Sequence, residues 1–291
     1  EGKGLTNDMV KIVTDSTAHL PLAERAKYDI TVIPLHAIFG SDDYRDEVDL
    51  SNKQFYDMLP TAKHHPKTSQ PSAGEFEQVY RPLLDAGKEI VSIHLPSSLS
   101  GTFASACAAK QQLETEFKRA LPLSLVETPW LSMALGLLCI AAAQAAQAGK
   151  SRDEIVATVN ALIPKLNLIF VLDTLEYLKR GGRIGGAKAM LGSMLNVKPM
   201  LQIEKGRVEP LEQPRSRAKA LKRLLEILEE RAGGRPLHAS VLHAQDPDEA
   251  ASLEKQIRSR FDCKEFYITE IGPAIGVHTG PDAVGLAFYA E

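Results

Sequence analysis

The chain is 291 residues long, 44% hydrophobic and close to neutral, with a net charge of −3. That length suggests two domains, the apolar content is enough for full cores, and the charge removes the electrostatic basis for holding nucleic acid or an anionic membrane surface. Three scattered cysteines, Cys107, Cys139 and Cys263, lack CxxC spacing and read as reduced thiols rather than a disulfide frame or a zinc site.

Residues 1–8 are polar, precede Met9 and read as a non-native extension; with no secretory segment, a cytoplasmic protein is expected. A strand over 10–14 ends in Asp15-Ser16-Thr17, and Pro21 opens a helix at its first turn. Residues 30–39 are expected to be extended and 51–59 helical. Ser72-Ala73-Gly74-Glu75 is a capping box before a helix that carries Phe76, Val79, Tyr80 and Leu83 on one face. A buried strand over 90–95, a helix over 102–119, a strand over 123–126 and a helix over 131–148 follow. The 14 apolar residues 130–143 fall short of the roughly 20 that a bilayer requires, so they read as a buried helix. This alternation predicts a parallel sheet between two helical layers. Right-handed crossovers then gather Asp15–Thr17, Ser97–Thr102 and Thr128 on one sheet edge, where such sheets bind ligands.

A second capping box, Ser151 with Glu154, opens a helix over 151–166, after which the texture changes. A strand over 168–172 precedes a hairpin of 200–203 with 208–211, turned through Glu204-Lys205-Gly206. A helix over 217–231, strands over 239–242, 266–269 and 284–289, and a helix over 247–260 complete the chain. The predicted fold is α/β in two domains: a parallel sheet with helices on both faces over 9–165, and a mixed-sheet α/β domain, covered mainly on one side, over 166–291.

Two stretches concentrate hydroxyls where helices begin: Thr68-Ser69-Gln70-Pro71-Ser72 and Ser97-Ser98-Leu99-Ser100-Gly101-Thr102. They contain no Asp, Glu, Cys or Lys, hence neither metal ligands nor a nucleophile–base pair. Neutral donors at helix N-termini suit an oxyanion that is bound and not consumed. The run Arg180-Gly181-Gly182-Arg183-Ile184-Gly185-Gly186 lacks the order and register of a phosphate loop. It reads as a tight helix corner, either purely structural or aiming Arg180 or Arg183 at an anion or a partner. Near the C-terminus, glycines and prolines surround a lone histidine in Ile271-Gly272-Pro273-Ala274-Ile275-Gly276-Val277-His278-Thr279-Gly280-Pro281.

Taken in order, Val13-Thr14-Asp15-Ser16-Thr17, Thr68-Ser69-Gln70-Pro71, Ser97 to Thr102, Leu175 to Arg183 and Gly276 to Gly280 resemble the DegV family of bacterial fatty-acid-binding proteins. The resemblance implies a two-domain α/β protein that binds one long-chain fatty acid between its domains and needs no cofactor or metal. It further implies the binding subunit of a fatty acid kinase, presenting the carboxylate to an ATP-using partner that makes acyl phosphate. By the same resemblance Thr68 and Ser100 hold the carboxylate, with His278, Ser69, Gly101 and Thr279 beside them, and Arg180 faces the kinase. Burying ~15 methylenes at roughly 0.8 kcal/mol each lets the tail supply nearly all the gross affinity. The head group then needs donors only to offset its desolvation, without a fixed positive charge. Ile169, Leu191, Met194, Leu195 and Ile203 are candidates for the acyl-chain pocket. Two other readings stay open: a serine hydrolase using Ser100 with His278, though no GxSxG elbow is present, and a phosphate or nucleotide binder using the 180–186 run.

Overall fold

The structure, a computed structural model, describes residues 9–193 and 197–291. Its first half holds β1 (Lys11–Asp15), α1 (Leu22–Tyr28), β2 (Thr31–Ile33), β3 (His36–Phe39), β4 (Asp42–Arg45), α2 (Asn52–Met58), β5 (Lys67–Ser69), α3 (Ala73–Asp85), β6 (Ile90–His94), α4 (Thr102–Phe117), β7 (Leu123–Glu127), α5 (Ser132–Gln147) and α6 (Arg152–Leu162). The second half holds β8 (Asn167–Val171), α7 (Glu176–Arg180), β9 (Met200–Glu204), β10 (Arg207–Glu212), α8 (Arg217–Ala232), β11 (Leu237–His243), α9 (Pro247–Arg258), β12 (Cys263–Glu270), α10 (Pro273–Thr279) and β13 (Val284–Ala290).

The expected parallel sheet is present, in the order β2-β1-β6-β7. The mixed sheet runs β10-β9-β8-β13-β11-β12, parallel only between β11 and β12. A third, small antiparallel sheet, β4-β3-β5, was not expected. It exists because the extended run 30–39 breaks at Pro34, which has no N–H for a ladder. Before the break β2 pairs with β1; after it β3 pairs with β4 and β5, which sets Thr68 opposite Ala37. The glycine- and proline-rich stretch 273–279, for which no helix was expected, forms α10, with Pro273 at its first turn.

The apolar pattern explains the stacking. One face of the parallel sheet packs Val13, Ile33 and Ile90 against Phe76 and Tyr80 of α3 and Ala106 and Leu113 of α4. Its other face packs Ile12, Val91 and Ile93 against α5, whose interior residues 133–140 are apolar on all sides and buried. Such a helix requires cover on both flanks, and the mixed sheet provides the second: α5 also touches β11 and β13. The mixed sheet is therefore covered on both faces rather than mainly on one. Leu168 and Ala287 point toward α5, while Ile169, Val171, Leu286 and Phe288 point toward α8 and α9.

Gly136 sits where α5 crosses the turn after β1, and a Cβ there would stand 2.7 Å from the carbonyl oxygen of Ala18. In an unconstrained helix, Gly→Ala stabilises by about 1 kcal/mol. Here overpacking against backbone reverses the sign, and Gly136→Ala is expected to lose about 1–3 kcal/mol in urea denaturation. A stabilised variant would refute this account of the α5 crossing.

Candidate ligand-binding cavity

An internal space of about 890 Å³, counting its mouth, opens where the C-terminal edge of the parallel sheet faces α10 and the mixed sheet. Most of its wall is apolar: Leu35, Leu95, Leu168, Phe170, Ile203 and Leu242 are among the lining residues. One end is polar, with Thr68, Ser69 and Gln70 from the end of β5, Ser100 from the turn before α4, His278 and Thr279 from α10, and Arg183 from the turn after α7. Hydrogen bonds tie the second half of the chain to this end. Ser98 donates to Gly206 O in the β9–β10 turn at 2.5 Å, and Arg183 Nε donates to Leu99 O at 3.2 Å.

Each polar side chain is held from behind. Thr102, fully buried, shares a 2.8 Å bond with Ser100 Oγ, and its N–H also donates to that oxygen. Either hydroxyl could donate in that pair, but the buried Thr102 hydroxyl has no other acceptor among the described residues, which assigns it as the donor and leaves the Ser100 proton for the cavity. Thr68 Oγ1 lies 2.9 Å from His278 Nε2. Burial, with Arg183 and His65 nearby, pulls the His278 pKa down to about 3, so the ring is neutral. Its Nδ1 is buried without a partner. An unpaired lone pair is tolerated better than an unpaired N–H, which assigns the ring proton to Nε2. Nε2–H then donates to Thr68, and the Thr68 proton is free for the cavity. Gly181 makes room for this ring, since a Cβ there would overlap His278 Nδ1 at 2.1 Å.

Of the residues expected at the site, Thr68, Ser69, Ser100, His278, Thr279 and Ile203 line the cavity. Gly101 stands just behind Ser100, packed on the Gln70 side chain. Ile169 does not reach the cavity: strand alternation turns it toward α8 and α9, and its neighbours Leu168 and Phe170 line the space instead. Leu191 is on the surface, 36% exposed, and Met194 and Leu195 lie outside the described residues. Arg180 is exposed on α7, paired with Glu176 at 2.6 Å. It lines a separate groove of about 640 Å³ with Leu59, His65 and Tyr177. The expectation of no fixed positive charge fails at Arg183, which lines the cavity while Nε and one terminal nitrogen donate to the carbonyls of Leu99 and Gly181. Thr17, expected on the ligand-binding sheet edge, is also on the wall, as is Ser132, which was not anticipated there.

The hydrolase arrangement does not assemble. Ser100 bonds Thr102 and His278 bonds Thr68, so nucleophile and base are not paired, and no carboxylate orients the imidazole. An Asp–His–Ser string does exist elsewhere. Asp15 Oδ2 and His94 Nδ1 are 2.8 Å apart, and Ser92 Oγ is 2.7 Å from His94 Nε2. All are fully buried, and Tyr80 closes on Ser92 at 2.8 Å, so the string ties β1, β6 and α3 together without access to substrate. No cluster of metal-ligating side chains occurs among the described residues.

Two more buried titratable groups stand behind the cavity wall rather than on it. Gly272 N–H donates to His19 Nε2 at 3.1 Å, and Nδ1 of the same ring is 3.0 Å from Ser132 Oγ. Burial and Arg25 lower the His19 pKa to about 3. Asp46, packed against Gly272 at the start of α10, has neither oxygen in a hydrogen bond of normal geometry. Burial and the charge of Glu47 push it up to about 7.

The sheet order and the cavity define the class: an α/β protein with a parallel and a mixed sheet, built round a ligand-sized apolar interior with a hydroxyl-lined end. The chain belongs to the DegV family, whose model, described as uncharacterised protein, DegV family, matches residues 9–291. A DegV domain-containing protein of Streptomyces coelicolor is 40% identical over 280 residues, covering 95% of this chain and 97% of that protein. The solved structure of a fatty-acid-binding DegV family protein from Thermus thermophilus aligns at TM-score 0.90 with 33% identity, covering 97% of this chain and 100% of the other. A stearic acid-binding protein from Eubacterium ventriosum aligns at 0.89 with 28% identity, covering 97% and 98%.

The raised pKa of Asp46 makes a signed prediction. Between its unfolded value near 3.8 and about 7, the folded state holds a proton that the unfolded state has lost. Asp46 therefore subtracts stability as pH rises through that window, and Asp46→Asn removes the loss. The variant should gain on the parent by roughly 1.4 kcal/mol per pH unit from pH 5 to 7 and level off above. Parallel stability curves for the two proteins in denaturant titrations would show that Asp46 ionises normally.

Proposed function

We propose that the cavity holds a long-chain fatty acid, its carboxylate at the Thr68–Ser100–His278 end and its tail along the apolar wall. The observation that carries this reading is an apolar interior ending in hydroxyls whose protons are free because Thr102 and His278 occupy their oxygens. An anion is matched by donors and repelled by acceptors, so this end suits a carboxylate better than a neutral carbonyl group. Arg183 adds a cation with part of its fork engaged by backbone. The fatty acids held by the Thermus and Eubacterium relatives support the same ligand class here. The wall draws on both halves of the chain, which favours a division near residue 165 with the acid between 9–165 and 166–291.

The wider role proposed is presentation of the carboxylate to an ATP-using fatty acid kinase for conversion to acyl phosphate. Such chemistry places the protein in the cytoplasm; no described helix is long and apolar enough to cross a membrane. Arg180 suits a docking contact because it is exposed at a rigid turn beside the polar end and outside the cavity.

Removing both hydroxyls with Thr68→Val and Ser100→Ala should weaken fatty-acid binding strongly, since each bond to a charged group is worth about 1.5–3 kcal/mol. Undiminished affinity of the folded double variant in fluorescent fatty-acid displacement would overturn the head-group assignment. Arg180→Ala should leave fatty-acid affinity within about twofold, below ~0.4 kcal/mol, yet sharply reduce acyl-phosphate formation in a reconstituted assay. Parallel loss of binding and turnover would move Arg180 into the pocket; no loss of either would leave it a surface pair with Glu176.

A further inference from the structure

The cavity wall carries a second pair of polar side chains, away from β5 and α10: Thr17, from the turn after β1, and Ser132, the first residue of α5. Both are more than nine-tenths buried. Their hydrogen-bond polarity follows from what lies behind them. His19 Nε2 accepts from the Gly272 N–H, so that nitrogen bears no proton and the neutral ring carries its proton on Nδ1. Nδ1–H therefore donates to Ser132 Oγ at 3.0 Å. The Ser132 oxygen is engaged as an acceptor, and its own proton has no acceptor bonded to it among the described residues. Thr17 is the reverse: its hydroxyl donates to Asp15 Oδ1 at 2.5 Å, and its N–H donates to the same oxygen. With its proton engaged by Asp15, Thr17 Oγ1 has only lone pairs to offer a ligand at this part of the wall.

The turn that bears Thr17 packs on α5, which bears Ser132, so the wall offers a donor and an acceptor from adjoining segments. That pairing does not suit a carboxylate, which would meet the Thr17 lone pairs, nor a methylene chain, which would leave a buried O–H unpaired. It suits a hydroxyl, which accepts from one side and donates to the other. We infer that Ser132 and Thr17 form a second polar subsite that recognises a hydroxyl borne on the acyl chain, so that the cavity favours a hydroxylated fatty acid over the unsubstituted acid. The subsite rests on the fatty-acid reading above and adds a specificity to it. The backbone is committed to this geometry: Ser132 and His19 both hold left-handed conformations, at φ of 53° and 49°, which non-glycine residues rarely adopt.

The test compares stearic acid with a positional series of monohydroxystearic acids by calorimetry on delipidated full-length protein. At least one isomer is expected to bind tenfold or more tightly than stearate. Ser132→Gly removes the hydroxyl while accepting the positive φ, so folding is preserved. In this variant, and independently in Thr17→Val, the affinity ratio of that isomer to stearate should fall to within about twofold. Thr68→Val should weaken both ligands alike and keep the ratio. A parent protein that binds stearate but prefers no isomer overturns the subsite, as does a preference that survives in Ser132→Gly. Failure to bind stearate or any isomer would overturn the fatty-acid reading itself, and the subsite with it.

Discussion

A polar group at the wall of an apolar cavity has to be satisfied from behind, because water is excluded from in front of it. Here that constraint decides what the wall can recognise. Thr102 donates into Ser100, and His278 donates into Thr68, so both oxygens are occupied and both protons face inward. The imidazole can do this without burying an unpaired Nδ1–H only while neutral, and burial beside Arg183 keeps it so. A protonated His278 would need an acceptor on Nδ1, and none is there. The recognition chemistry therefore lies in the second row of residues as much as in the hydroxyls that touch the space.

The layered fold exists to hold those rows in register. Ser100 comes from the C-terminal edge of the parallel sheet, Thr68 from the small antiparallel sheet, and His278 from α10, carried between two strands of the mixed sheet. Helix α5, apolar on every side, fixes the distance between the sheets because neither flank can face water. Gly136 brings that helix close to the turn that bears Thr17, and Tyr56 holds the approach to α10 through a 2.8 Å bond to Ile271 O, two residues before the helix.

What could be read from the chain beforehand divides along the same line. The strands and helices of both sheets were legible because their periodicity is local, and capping boxes at Ser72 and Ser151 marked helix starts that the structure reproduces. Thr68, Ser100 and His278 were identified through the clustering of hydroxyls and the family resemblance. The small sheet was not seen, because strands of three or four residues split by Pro34 carry too little pattern. Ile169 was placed on the wrong face for a related reason: β8 is apolar on both sides, so alternation could not show which side met the cavity. Ser132 was hidden inside an apolar run, and only the fold brings His19 to it across 113 positions.

Arg183 adjusts the picture of a purely neutral head-group site. A fully engaged arginine fork would hold a carboxylate firmly and oppose its transfer to phosphate. Here Nε and one terminal nitrogen already serve the carbonyls of Leu99 and Gly181, so the guanidinium cannot offer that face of its fork. Its charge still stabilises an anion nearby, and the same charge helps to keep His278 neutral. Attraction thus comes from a cation held by backbone, and geometry comes from hydroxyls oriented by neutral partners. That division suits an anion that must be kept from water, held in one orientation and still be free to react.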